Sequence, residues 1–102
     1  MPVTKKNISS IFGVPTTDIT QVGSKQMFKV LSVKDKCLFL VSYRTIISIY
    51  HDNIWKITTR KYSRTTSCQI TAFSRGQWGR IKYIPNEDLV SLLPDTLKYY
   101  AR

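Results

Sequence analysis

Seven cations stand between Asn53 and Asn86 with no acid among them: Lys56, Arg60, Lys61, Arg64, Arg75, Arg80 and Lys82. Five aromatic residues are interleaved with them, Trp55, Tyr62, Phe73, Trp78 and Tyr83. Guanidinium and ammonium groups bind phosphate oxygens, and rings set among them offer flat surfaces on which bases stack. A strand over Ile54 to Arg60 alternates Ile54, Lys56, Thr58 and Arg60 on one face with Trp55, Ile57 and Thr59 on the other. Such a sheet can lay one face on a phosphate backbone and keep the other for its core. Ser63, Thr65, Thr66 and Ser67 then lead into an expected helix whose N-terminus, beside Arg64, suits an anion. The candidate contacts are Lys56, Arg60, Tyr62 and Arg64, with Arg75, Trp78, Arg80 and Lys82 as second contributors. A plainer reading makes the hydroxyls caps, the rings core, and the strand lysines guards of a sheet edge.

Catalysis needs positioned acid and base groups, and few are available. His51 is the only histidine and falls in an expected turn, and neither Cys37 nor Cys68 has a histidine near it in sequence. Asp35 and Asp52 fit turns, and Glu87 and Asp88 fit the start of a helix. No nucleophile motif or phosphate loop occurs. The inventory points away from an enzyme, and one histidine with no paired cysteines points away from a metal. No catalytic residue, metal ligand or cofactor is expected.

The charge says more about the partner. Sixteen Lys and Arg against six Asp and Glu give +10 over 102 residues. The excess is uneven: residues 25–64 carry nine cations and two acids, whereas residues 85–102 carry two cations and three acids. A field of this kind favours polyanions, nucleic acid first (DNA or RNA) and acidic protein surfaces second. No apolar run reads as a signal peptide or a membrane span, so a cytoplasmic protein with reduced thiols and no membrane partner is expected.

The elements that must position these residues follow from the pattern. At 102 residues one domain is expected. Residues 1–24 read as short helices: Asn7 as N-cap, Ile8, Ile11 and Phe12 as an apolar face, Gly13 as a stop, then a second segment from Thr16 or Thr17 to Gly23. This spacing resembles the centre of a helix-turn-helix, in which Thr16, Thr17, Thr20 and Gln21 face DNA. Two short helices packed on a sheet fit the same residues. Residues 25–62 read as an antiparallel β-meander: Gln26 to Val33, one long strand over Cys37 to Tyr50 bent near Ser42–Thr45, and Ile54 to Arg60. Lys34-Asp35-Lys36 and His51-Asp52-Asn53 supply the turns. Thr66 and Gln69 form a capping box for a helix over 65–75, closed by Gly76. Residues 80–102 hold a short strand to Ile84 and a helix opened by Pro85-Asn86-Glu87-Asp88. The fold class expected is α+β, an antiparallel meander of three to four strands with short peripheral helices.

The run from Tyr43 through the Asp52-Asn53 turn to Trp55-Lys-Ile-Thr-Thr-Arg-Lys-Tyr-Ser-Arg-Thr-Thr-Ser-Cys-Gln-Ile-Thr-Ala-Phe73 resembles a family of small uncharacterised proteins of bacteriophages and mobile elements. Lys61-Tyr62-Ser63, Thr65-Thr66-Ser67, Gln69 and Phe73 are its most specific part, and about a third of the chain is covered. The resemblance implies a phage or mobile-element origin and a strand-turn-strand-helix unit, and no activity. A small viral protein in a host cytoplasm can bind nucleic acid or act on a host protein as an inhibitor or modulator. Both readings stand: nucleic-acid binding through the phosphate backbone with little sequence specificity, and a protein-interaction module.

Overall fold

The first helix opens with a capping box one turn earlier than the apolar spacing suggests. In the computed structural model, which describes residues 3–22, 27–60 and 80–101, α1 spans Lys5–Phe12. Thr4 is its N-cap; its Oγ1 accepts from the Asn7 N–H, and the Asn7 side chain accepts from the Thr4 N–H at 3.0 Å. Two orphan donors are met reciprocally, so Asn7 is the third helical residue and not the cap. Gly13 closes the helix at φ 64°, where a Cβ is strained.

The second helix expected before Gly23 does not form. Pro15 is followed by a single 3-10 turn over Thr16–Asp18, and β1 then spans Ile19–Gln21. β1 pairs with β2 (Met27–Ser32) through Ile19 opposite Val30 and Gln21 opposite Phe28. The β-branched Ile19 and Thr20 gain a ladder here that a lone helical turn cannot offer. The helix-turn-helix reading is therefore discarded: of the residues assigned to a recognition helix, Thr16 and Thr17 lie in a 3-10 turn and Thr20 and Gln21 in an edge strand.

The expected three-to-four-stranded antiparallel meander is likewise corrected. Among the described residues the sheet has six strands in sequence order, the last of them parallel to its neighbour. The long strand expected over Cys37 to Tyr50 is two strands, β3 (Cys37–Ser42) and β4 (Thr45–His51), joined by a two-residue turn at Tyr43-Arg44. Tyr43 takes φ 58° there, a conformation a bulky residue adopts only where its surroundings fix it. Ile47 is the extra residue of a bulge, since Leu40 pairs with Ser48 and Val41 with Ile46. The next turn behaves as its residues dictate: Asp52 and Asn53 both lie left-handed, at φ 54° and 61°, and lead into β5 (Ile54–Thr58).

β6 (Arg80–Ile84) runs parallel to β5, with Ile54 opposite Arg80, Lys56 opposite Lys82 and Thr58 opposite Ile84. Thr59 extends the pairing by donating to the Ile84 carbonyl at 2.8 Å. A parallel neighbour requires a crossover of a dozen or more residues, which residues 59–79 supply in number. Pro85 then turns the chain into α2 (Asn86–Leu92), with Glu87 and Asp88 in its first turn.

Register separates two apolar faces. One carries Phe28, Val30, Phe39, Val41, Ile46, Ile49 and Ile84, packed against Ile8 and Phe12 of α1, Leu89 of α2, and Leu93, Leu97 and Ala101 beyond it. The other carries Met27, Leu40, Ile47, Trp55 and Ile57, with Val22, Leu38 and Ile81 against them. On the first face, Thr58 Oγ1 donates to Asn86 Oδ1 at 2.7 Å, and Asn86 Nδ2 donates to the Ala101 carbonyl at 2.7 Å. One amide thus joins the end of β5, the start of α2 and the C-terminal turn. Asn86→Ala leaves a buried hydroxyl and a buried carbonyl without this partner, and we expect a loss of about 2–6 kcal/mol in urea unfolding, from about 1–3 kcal/mol per orphaned group. A loss below about 0.5 kcal/mol would contradict the role given to this side chain.

Candidate nucleic-acid interface

Of the eight candidate contacts, Lys56, Arg60, Arg80 and Lys82 lie in described residues. Tyr62, Arg64, Arg75 and Trp78 lie outside them, as do Cys68 and the helix expected over 65–75.

The parallel pairing of β5 and β6 brings three of the four together. Lys56 and Lys82 are register partners, so their side chains leave the same face of strands about 4.8 Å apart. Arg80 is two residues before Lys82 on that face, about 6.6 Å along the strand. This is the helix-bearing face, since Lys56 also pairs with Ile49 on β4. Lys56 is half-buried, whereas Arg80 and Lys82 are exposed. Lys56 Nζ lies 3.3 Å from His51 Nδ1, and that nitrogen lies 3.3 Å from the Asp52 carboxylate. The histidine read as a plain turn residue therefore borders the cationic group.

Arg60 stands apart from the three. It lies two residues beyond the end of β5, and its N–H donates to Thr58 Oγ1 at 3.1 Å. Thr58, expected on an open cationic face, is only 2% exposed beneath Asn86. The continuous face of Lys56, Thr58, Arg60 and Tyr62 is thus interrupted at Thr58. Tyr83 projects from the opposite face, in register with Ile57, and is half exposed.

The acids are placed elsewhere. All six fall in described residues; Lys98 pairs with Asp95 at 3.6 Å, and the Asp52 carboxylate lies 3.3 Å from His51 Nδ1, a contact that is an ion pair only with a protonated imidazole. Asp35 is held by Ser32 Oγ at 2.7 Å and Thr96 Oγ1 at 3.1 Å. None of the described ion pairs engages Lys56, Arg80 or Lys82. Like charges facing each other across a strand pair repel, and a bound anion would relieve that repulsion.

The described cysteine brings no reactive group to the site. Burial, reinforced by the Asp35 carboxylate, pushes the Cys37 thiol from 9.0 up to about 11. It is neutral near pH 7 and a poor nucleophile. Among the described residues no three His, Cys, Asp or Glu side chains gather as a metal site, and no helix is long and apolar enough to cross a membrane. Two side chains that sequence reading passed over, Arg44 and Tyr99, line a groove at the far end of the sheet. Arg44 lies in the run that carries the family resemblance, but nothing in its spacing marks it as a contact, and Tyr99 belongs to no motif.

The chain matches no protein-family model, no curated protein and no solved structure.

Two outcomes follow from this geometry. Lys82→Glu replaces a like-charged pair by an opposite one and should raise stability by about 0.2–1 kcal/mol in low salt, fading at 1 M salt. An unchanged or lowered stability in low salt would remove the repulsion from the account. Cys37 should react with iodoacetamide at pH 8 at least ten times more slowly than a free thiol, as read by peptide mass mapping. The raised pKa also fixes a sign: the proton on Cys37 stabilises the fold fully below pH 9.0, and that contribution is lost as pH rises through about 11.

Proposed function

We propose that this protein is a small basic nucleic-acid-binding protein that grips the phosphate backbone with little sequence specificity. The observation that carries the reading is the group formed by Lys56, Lys82 and Arg80, aligned on one face and lacking a carboxylate partner among the described residues. A duplex carries one phosphate per about 3.4 Å of helix axis on each strand, so cations set about 5–7 Å apart on one face can each meet a different phosphate or share one. Arg60, Tyr62, Arg64, Arg75 and Trp78 are proposed as further contacts. The phage-family resemblance suggests a host cytoplasm as the setting. A non-enzymatic role is part of the same proposal.

A backbone grip has a thermodynamic signature. With about four to six phosphates neutralised, log affinity for a duplex or single-stranded probe should fall against log salt with a slope near −4 to −5. The Lys56→Glu/Lys82→Glu variant should bind at least tenfold more weakly at 100 mM salt and show a shallower slope. Fluorescence anisotropy between 25 and 200 mM salt measures both, and no binding of the wild type at 25 mM salt sinks the reading.

A protein partner is the second reading, supported by a different observation. Leu31, Leu38 and Tyr50 are cross-strand neighbours on the face opposite α1 and α2, and Leu31 and Tyr50 remain 44% and 37% exposed. A row of exposed apolar side chains suits a protein surface better than a phosphate backbone. Capture of a host protein that survives both nuclease and 0.5 M salt, and that is lost in Leu31→Asp, would favour this reading over the first.

A further inference from the structure

A groove of about 730 Å³ opens between α1, the β3–β4 turn and the C-terminal 3-10 turn over Lys98–Ala101. Its walls are Asn7 and Ser10 of α1, Arg44 and Thr45 of the turn, and Tyr99 and Tyr100. Tyr99 is 75% exposed, the most exposed aromatic ring among the described residues. It is nevertheless anchored. Its ring meets Tyr100 edge-to-face at 5.3 Å, Tyr100 packs on Phe12 at 4.8 Å, and Phe12 packs on Phe39 at 5.3 Å in the core. A chain of ring contacts therefore runs from the centre of the sheet to the surface and ends in a ring whose exposure leaves room for one more. Arg44, also in the lining, is exposed and follows Tyr43, which takes a left-handed backbone in the turn. Ser10 and Thr45 add hydroxyls, and no acid lines the groove.

We infer that this groove holds one nucleotide of a single strand, its base stacked on Tyr99 and its phosphate held by Arg44. The inference rests on the proposed nucleic-acid binding and makes it more specific. A base needs a flat apolar surface and a phosphate needs a guanidinium, and the groove is lined by both. An acidic protein segment would use the cation and leave the ring exposed, and an aliphatic one would cover the ring and leave the cation unused. A duplex keeps its bases stacked on one another and cannot offer one to Tyr99 without unpairing it. The groove therefore distinguishes single strands from duplexes, which the Lys56, Lys82 and Arg80 group does not.

The test uses the full chain with a fluorescein-labelled dT12 and a 12-base-pair duplex at 100 mM salt. Tyr99→Ala should weaken dT12 binding about five- to 100-fold, the range of a lost base stack, and leave duplex affinity within twofold. Tyr99→Phe keeps the ring and should bind as the wild type does, which separates stacking from hydroxyl chemistry and from folding damage. Arg44→Ala should weaken dT12 binding and reduce the salt slope by about 0.7. A dT12 carrying 5-iodouracil should photo-crosslink to Tyr99 in the unaltered protein. If Tyr99→Ala binds dT12 normally while Lys56→Glu/Lys82→Glu does not, the groove is not a base site and the phosphate grip stands. If the wild type binds neither probe, both fall.

Discussion

The amide of Asn86 is the interaction on which the arrangement of charge depends. It accepts from Thr58 at the end of β5, donates to Ala101 in the C-terminal turn, and sits at the first residue of α2. These segments are far apart in sequence, and each would otherwise hold a buried polar group without this partner. A buried donor or acceptor left unmade costs about 1–3 kcal/mol, comparable with the burial of a whole aliphatic side chain. Thr58 is opposite Ile84 in the β5–β6 ladder, so pinning Thr58 and the start of α2 together also fixes how far β6 slides along β5. A slip of one residue would place Lys82 beside Trp55 or Ile57 and turn its side chain to the other face. The position of one uncharged side chain therefore decides that Lys56 and Lys82 stand together.

That alignment opposes stability. Two ammonium groups held as close as their strands, about 5 Å, would repel by about 1 kcal/mol in water-like surroundings, and the half-buried position of Lys56 would raise the figure. Long side chains splay to reduce the cost, and the bond from Lys56 Nζ to His51 Nδ1 directs one of them away from the strand partner. The nearest acid of the hairpin, Asp52, lies against His51 and not against the lysines. Repulsion of this kind is a cost to stability, and the proposed phosphate contact is what would offset it.

How much of this could be read from the chain varies with the range of the interaction. The turn at Asp52-Asn53 was legible because both residues tolerate the left-handed backbone that a two-residue hairpin demands, and the start of α2 because acids follow Pro85. The turn at Tyr43-Arg44 was not, because Tyr43 takes a positive φ with no glycine, asparagine or aspartate to announce it. Ile19 and Val22 stand three apart, as on a helix, yet Ile19 belongs to β1, because pairing with Val30 outweighs the propensity of a three-residue segment. The capping box was hidden by the same short range: Asn7 is a good N-cap residue, and only Thr4 three positions earlier makes it an N3 partner. The cationic residues themselves were visible, but their alignment was not. Lys56 and Lys82 are brought side by side by a parallel crossover, whose direction no local pattern encodes.

The distinction between total charge and local charge density bears on what +10 can do. At physiological salt the screening length is about 8 Å, so cations farther apart than this act nearly independently on a polyanion. Lys5 and Lys6 on α1, and Lys34 and Lys36 in the β2–β3 turn, contribute to such a diffuse field, which attracts without holding. Lys56 and Lys82, with Arg80 one pleat away, fall inside one screening length of each other. There the potentials add, and under the proposed function the condensed counterions of a polyanion would be displaced together and the repulsion between the cations relieved by phosphate. In general a diffuse field governs the rate of encounter and close contacts the lifetime of a complex. The same logic underlies the proposed pairing of Arg44 with Tyr99: a single guanidinium outside the dense group would hold a phosphate only weakly, and a ring anchored through Tyr100 and Phe12 to the core would add a contact that salt does not screen.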